Sequence, residues 1–316
     1  MKSKKKILFL TEKWCDGNPD MGLTNHYHNL FGTLASLDNV EIGVFHYDEY
    51  KYTSNKHVDE EIPNVMKSFE PDVVVVSHLG TSLMNPTRKS YEFMHNLGVK
   101  VVFIWPDTRD SIIDTIRELE DVSSLHVSWC YERDETIIDN HIRLPTPQDP
   151  RMYYKQKTKQ YDAVFVGSLN GYTHRGPFIQ HTQQEGCKLS VSGGQREAKL
   201  SPEQYAFLIA SSKVSVNFSE SAIKGEHQMK GRVLETLSAG VMLLEYKNDV
   251  TSKLLTPGVH YAEFGTKEEL AEKINYYLEH DEEREKIAAA GYELYNKRFS
   301  PACFWGTIFK RIGVEV

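Results

Sequence analysis

The segment Lys230-Gly-Arg232-Val-Leu-Glu235-Thr-Leu-Ser-Ala-Gly240 sets two cations and a carboxylate directly before the apolar run Val241-Met-Leu-Leu244. The pattern reads as a short helix feeding a buried strand. A helix start carries free N–H groups and partial positive charge, so it suits an anion such as a diphosphate. Arg232 and Glu235 are three apart and would share a helix face. One nucleotide could then meet the cation through its phosphates and the carboxylate through its ribose hydroxyls. The competing reading is a surface salt bridge on an ordinary helix. Other residues able to do chemistry fall where apolar runs end: Gly167-Ser168, Gly193-Gly194 and Ser219-Glu220.

The elements that must position these residues alternate from end to end. Strands are expected at Lys5–Thr11, Val40–Tyr47, Asp72–Leu79, Val99–Trp105 and Ser124–Cys130, with helices at Thr24–Leu37, Thr87–Leu97 and Asp110–Glu120. Continuous β-branched runs such as Val73-Val-Val-Val76 mean strands buried on both faces. Their alternation with helices means a parallel sheet covered by helices, an α/β Rossmann-like domain. Proline clusters in Leu144-Pro-Thr-Pro-Gln-Asp-Pro150, a domain boundary. The pattern then restarts with strands at Tyr161–Gly167, Cys187–Ser192, Lys213–Ser219 and Val241–Tyr246, and a helix after Arg175. Ser201-Pro-Glu-Gln204 is a capped helix start, and Thr266-Lys-Glu-Glu269 caps a long amphipathic segment reaching Arg298, broken near His280-Asp281. A last aromatic segment, Pro301–Ile312, needs a surface to cover. Two such halves joined by a proline-rich hinge would hold a ligand in the cleft between them, at the carboxyl ends of the strands.

Composition removes several classes. At 316 residues the chain fits two domains better than one, and 40% hydrophobic content is ample for packed cores. A net charge of −7 supplies no global basic field for nucleic acid or membrane. Of two local basic runs, Lys2-Ser-Lys-Lys-Lys6 is expected to be a solvated start and Arg151-Met-Tyr-Tyr-Lys-Gln-Lys-Thr-Lys159 an exposed linker. Cys15, Cys130, Cys187 and Cys303 are widely spaced, as free thiols would be. The apolar Ile7-Leu-Phe-Leu10 is too short for a signal core and no run is long enough for a transmembrane segment, so a cytoplasmic protein is expected. Val191-Ser-Gly-Gly-Gln-Arg196 imitates a transporter ATPase signature, but no Walker-type phosphate loop accompanies it. No GxGxxG follows the first strand, and no HExxH or paired Cys/His spacing supports a metal site. Asn217-Phe-Ser219 matches a glycosylation sequon but falls in a strand expected to be buried.

Asp149-Pro150, Phe165-Val-Gly-Ser168, Arg175, Val216-Asn-Phe-Ser219, Lys230-Gly-Arg-Val-Leu-Glu235, Ala239-Gly240, Thr266-Lys-Glu-Glu-Leu270, Tyr276-Tyr-Leu278, Glu282-Glu-Arg-Glu-Lys-Ile-Ala288 and Ala290-Gly291 form an ordered set. The set resembles the nucleotide-sugar-binding domain of GT-B-fold glycosyltransferases, in particular the spore-maturation-type, group 1-like branch. It spans residues 145 to 300; the first half matches only loosely, through its strand–loop–helix start and Trp105-Pro-Asp107. The resemblance implies two Rossmann-like doubly wound domains facing across a cleft. An acceptor domain would cover 1–150, with the 300–316 helix packing back on it, and a donor domain 160–298. The implied activity moves a hexose or pentose from a nucleoside-diphosphate sugar to a hydroxyl acceptor, with no metal and no other cofactor. Gly167 and Ser168 would let backbone approach the diphosphate, Arg175 and Arg232 would neutralise it with Lys230 assisting, and Glu235 would take the ribose hydroxyls. Gly193 and Gly194 would turn near the nucleotide base. Many retaining members carry a glutamate eight residues before the ribose glutamate; here that position is His227, beside Glu226, so the stereochemistry stays open.

An inverting route needs a base within hydrogen-bond reach of the acceptor hydroxyl. Strand ends of the first half offer Asp107 first, then Asp16, His26 and His78. Asp107 serves equally well as a cap for the next helix, and a lone histidine such as His78 is more often structural. The acceptor is left open among a glycan precursor, a protein, a metabolite and a hydroxylated base of phage-type modified DNA. The DNA case calls for a basic, aromatic face such as Arg151–Lys159. The same fold would also serve a nucleotide-sugar epimerase, which needs donor alone, or a non-catalytic sugar-nucleotide-binding protein.

Overall fold

The structure, a computed structural model, describes every residue except 1–3, 25, 81, 107, 109, 130–135, 194–199 and 222–224, with backbone only at 110 and 111. The chain divides into two units: Met1–Asp149 together with Pro301–Val316, and Pro150–Ser300.

In the first unit the strands are β1 (Lys5–Thr11), β2 (Val40–His46), β3 (Val73–Ser77), β4 (Lys100–Trp105), β5 (Leu125–Ser128) and β6 (His141–Arg143). They form one sheet in the order β2-β1-β3-β4-β5-β6, each pair parallel. Its helices include α1 (Tyr47–Ser54), α2 (Ile62–Phe69), α3 (Arg88–Asn96) and α4 (Asp110–Glu118). Alternate strand residues serve opposite faces. Leu8, Leu10, Val74, Val76 and Phe103 pack against Met66, Tyr91 and Ile116, while Ile7, Phe9, Val73 and Val75 point the other way, toward Leu30 and Leu34. The helix expected from Thr24 runs through a π-helical turn, Tyr27–Gly32. There the Thr33 hydroxyl competes for the carbonyls of Asn29 (2.6 Å) and Leu30 (3.0 Å), as short hydroxyl side chains do inside helices.

In the second unit the order along the chain is β7 (Tyr161–Val166), α5 (Arg175–Gln184), β8 (Leu189–Ser192), α6 (Pro202–Ala210), β9 (Ser212–Asn217), α7 (Gly231–Ser238), β10 (Met242–Tyr246), α8 (Asp249–Ser252), β11 (Ala262–Phe264), α9 (Lys267–Glu279) and α10 (Asp281–Arg298). The sheet is β11-β10-β9-β7-β8, again parallel. Ser201 and Gln204 close a reciprocal capping box on α6, and the Thr266 side chain accepts from Glu269 N on α9. The last helix of the chain, α11 (Pro301–Arg311), is part of the first unit, where Phe304, Trp305, Ile308 and Phe309 cover Ile7, Phe9 and Leu34.

Both sheets share one feature that positions sites. The chain lays β2 on one side of β1 and β3 on the other, and repeats this with β8 and β9 around β7. At such a switch point the two following connections leave in opposite directions and open a crevice at the carboxyl ends of the strands.

Among the described residues the first unit also buries three histidines. His126 is 0% exposed; its Nδ1 accepts from Trp105 Nε1 at 3.0 Å, and its ring stacks on Phe103 and Trp105. His141 Nε2 pairs with Ser128 Oγ at 2.8 Å, and His78 lies 4.6 Å from Trp105. Burial holds His126 at a pKa of about 3, and His78 and His141 at about 4, far below the ordinary value. A buried neutral histidine stabilises the fold only while the unfolded chain's histidine is also neutral. As pH falls below about 6.5 the unfolded chain binds protons that the folded one refuses, so stability drops by about 1.4 kcal/mol per pH unit for each histidine. All four tryptophans, Trp14, Trp105, Trp129 and Trp305, lie in the first unit. Urea unfolding followed by tryptophan fluorescence at pH 7, 6, 5 and 4 should therefore show a steep loss; a flat profile over that range would remove these histidines from the account.

Candidate functional site

At the switch point of the second unit, one side chain holds both strand ends. Arg175, 3% exposed at the start of α5, donates from Nη1 to Ser168 O (2.8 Å), just beyond β7, and from Nη2 to Phe218 O (3.1 Å), just beyond β9. Its guanidinium lies 3.3 Å from the centre of the Tyr172 ring. Its Nε has no hydrogen-bond partner and faces Glu220 Oε2, also unpartnered, at 4.0 Å. The other oxygen of Glu220 accepts from the backbone N–H (3.1 Å) and Nδ1 of His174. Burial, with Arg232 nearby, brings the Arg175 pKa down to about 10.

Arg232 is the second cation, on the first turn of α7. It is 9% exposed, its Nη1 donates to Asn217 Oδ1 at 2.6 Å, and its guanidinium sits 5.1 Å from the Phe165 ring. Its Nε has no partner. Burial opposes the charge, but Tyr205, Glu235 and Glu245 hold its pKa above the ordinary value. No side chain caps the start of α7. Gly167 faces this guanidinium: a Cβ there would lie 2.3 Å from Arg232 Nη2, and its φ of +157° is one that L side chains rarely adopt. Glycine leaves the guanidinium where it is; any side chain there would push it aside.

Glu235 is 5% exposed, which disposes of a surface salt bridge. Its Oε2 accepts from the Tyr205 hydroxyl at 2.7 Å, and burial raises its pKa against the bonds from Tyr205 and Tyr153. Its Oε1 turns to Gly231, where a Cβ would lie 3.1 Å away. Lys230 Nζ donates to Gln228 Oε1 (3.0 Å) and stands 5.8 Å from the Tyr172 ring. Ser168 is exposed and its hydroxyl accepts from Asn170 N. His227 is half-buried, bridged through the backbone to Glu220, its ring 6.2 Å from Tyr246. Thus Gly167, Arg175, Lys230, Arg232 and Glu235 gather at one end of this sheet, while Gly194 lies outside the described residues. The run 151–159 is mostly exposed, but Tyr153 is buried and Lys159 Nζ is spent on Ala210 O at 2.7 Å.

The first unit has its own polar knot at the β1/β3 switch. Glu12, 1% exposed at the end of β1, pairs with His26 Nδ1 and accepts from Thr24 Oγ1 (3.3 Å) and Tyr47 Oη (3.0 Å). Tyr47 also reaches Ser77 O, at the end of β3, at 3.0 Å. Burial raises the Glu12 pKa, yet His26 and these bonds hold it below the ordinary value. The His26 side chain is 26% exposed and its ring packs edge-on to Trp129. His78 is a packed ring, 7% exposed, with Nδ1 bonded to Gly80 O at 2.9 Å. Asp16 is exposed in a turn, at φ 53°, and Asp107 lies outside the described residues. Glu12, Tyr47, Tyr205 and Glu245 carried no motif in the sequence; only the position of Glu12 directly after an apolar strand gave a usable signal.

Residues 155–308 match the sequence family described as Glycosyl transferase-like. No curated protein matches the chain. Among solved structures, HepE of Anabaena, crystallised with UDP and glucose, superposes with a TM-score of 0.61 at 13% identity, covering 98% of this chain and 99% of HepE. Sucrose-phosphate synthase of Thermosynechococcus elongatus gives 0.58 at 10% identity, over 98% and 99% of the two chains. A Listeria monocytogenes protein proposed to be a UDP-N-acetylglucosamine 2-epimerase gives 0.57 at 12% identity, over 98% and 97%. At such identities the likeness shows the fold. Among the described residues no helix is long and apolar enough to cross a membrane.

Proposed function

With residues 155–308 a glycosyl transferase-like domain in a chain of GT-B fold, we propose that this protein transfers a sugar from a nucleoside-diphosphate donor to a hydroxyl acceptor. The observation that carries the reading is Arg232: a guanidinium 9% exposed, with an unpartnered Nε, opposite a glycine and at an uncapped helix start. Buried polar groups are normally satisfied, so this one is built for a partner that comes and goes. A diphosphate fits, since it brings charge and paired oxygens to a planar fork and to free backbone N–H groups.

In transfer, the acceptor oxygen forms a bond to the anomeric carbon while the bond from that carbon to the phosphate oxygen breaks. The electron pair leaves with the nucleoside diphosphate. Arg232 stabilises the charge that grows there, which is the role a metal plays in other transferases. Arg175 supports from behind by holding Ser168 and Phe218, and Glu235 accepts from the ribose. The acceptor proton must pass to a base; in the first unit His26, whose Nδ1 is held by buried Glu12 as in acid–histidine pairs, is a side chain of the kind that can take one. An epimerase would rearrange the donor without an acceptor.

Thermal-shift measurements with a panel of nucleoside diphosphates and their sugars, in EDTA throughout, test the donor reading. A donor at a hundred times its Kd should stabilise the protein by about 2.7 kcal/mol. In Gly167→Ala the new methyl collides with Arg232 Nη2, so affinity should fall on the order of tenfold, the worth of one charge-assisted hydrogen bond. If no donor shifts the transition, or Gly167→Ala binds as well as the parent, the diphosphate site is elsewhere.

A further inference from the structure

We propose that Glu245 is a positioning residue of the donor site, fixing through the Asn217 amide where the Arg232 guanidinium points. The inference rests on the reading of Arg232 as the phosphate ligand. Asn217 and Glu245 are register partners on neighbouring parallel strands, so their side chains leave the sheet on one face. Glu245 is 0% exposed. Its Oε2 accepts from Asn217 Nδ2 at 2.6 Å, and its Oε1 from Ser219 N at 2.9 Å and Asn248 Nδ2 at 3.2 Å.

This arrangement decides which way the Asn217 amide faces. A carboxylate only accepts, so the amide nitrogen must turn to Glu245; a guanidinium only donates, so the amide oxygen must turn to Arg232, which it meets at 2.6 Å from Nη1. Glu245, Asn217 and Arg232 thus form a chain of carboxylate, amide and guanidinium in which every polar direction is determined. A buried carboxylate is costly unless something requires it. Here it places a cation that the backbone alone would leave to several rotamers.

The chain works only while Glu245 is ionised. Burial raises its pKa to about 7 against the bonds from Asn217 and Ser219. The groups around it are Arg232 from α7, Tyr261 just before β11, Glu263 on β11 and Asn248 beyond β10. Oε1 faces two N–H donors, so on protonation the hydrogen goes to Oε2; that O–H must donate, the Asn217 amide turns over, and its N–H groups face the guanidinium. Donor affinity is then nearly full at pH 8, about half at pH 7 and lower still below it.

Calorimetric Kd values at pH 8 and pH 6 test this, using whichever of UDP-glucose, GDP-mannose and ADP-glucose binds the parent protein. Both phosphates of these donors are esterified and keep their charge over that range. Parent affinity should drop about tenfold at pH 6, the reciprocal of the ionised fraction. Glu245→Gln should bind weakly at both pH values with no slope. Asn217→Ala, which cuts the chain while keeping the acid, should also lose the slope. A flat parent profile, or a slope that survives in either variant, overturns the role of Glu245. If Arg232→Ala binds donor like the parent, or none of the three donors binds, it is the phosphate-ligand reading that has failed.

Discussion

Replacing Arg232 with Ala should weaken binding of a nucleoside-diphosphate sugar by roughly ten- to hundredfold, the range expected when hydrogen bonds to a charged group are lost. The physical reason is where the cation sits. At 9% exposure and 5.1 Å from the Phe165 ring it is largely out of water, so its attraction for a phosphate is little screened. Arg232→Lys keeps the charge but loses the planar fork and the bond to Asn217, and should recover only part of the affinity. Calorimetry on the three proteins, with circular dichroism to show that each is folded, checks this. Equal affinity in all three would mean that the guanidinium never meets the phosphates.

Trp305→Ala should cost the first unit about 3–5 kcal/mol, the usual range for deleting a buried aromatic side chain. The indole is 0% exposed, packs edge-on to Phe9 at 5.9 Å and stacks on Phe309 at 5.9 Å. Its Nε1 also donates to Thr33 Oγ1 at 3.0 Å, the atom that shapes the π-helical turn. Trp305→Phe keeps most of the packing and drops that bond, so its cost should be about 1 kcal/mol beyond the lost volume. The remaining Trp14, Trp105 and Trp129 report the unfolding of this unit alone. A loss below 1 kcal/mol in the alanine variant would show that α11 is dispensable to the core it covers.

Much of the scaffold was legible because its cause is local and periodic. The runs Lys5–Thr11, Val73-Val-Val-Val76 and Val241–Tyr246 read as strands covered on both faces, and β1, β3 and β10 follow them within two residues at each end. Ser201 and Thr266 announced helix starts through residues three positions away, and both caps are made. The break at His280 was visible as well, between α9 and α10. What escaped was weakly patterned or short: α1, the eight-residue α2, and the three-residue edge strands β6 and β11. An edge strand this short has too few side chains to show a period.

The site divides along a different line. From the order of residues alone came the alternation of strands and helices, the restart after the proline cluster, and the placing of Gly167, Arg232 and Glu235 at strand ends and a helix start. Local chemistry decides these, because burial periodicity, capping and glycine's freedom act over a few neighbouring residues. The tertiary structure alone decided which partner each polar group takes. Arg232 and Glu235, three apart, do attract each other, yet their hydrogen bonds go elsewhere: Glu235 accepts from Tyr205 of α6 and Arg232 donates to Asn217 of β9. Arg175 was expected to meet phosphate, and its Nη atoms join two strand ends 50 residues apart in the chain, Ser168 and Phe218. Glu245 had no signature at all, and Glu12 only its place directly after an apolar strand. A buried polar group must find a complement wherever the fold brings one, and parallel sheets bring together residues far apart in sequence, at spacings that no local pattern records.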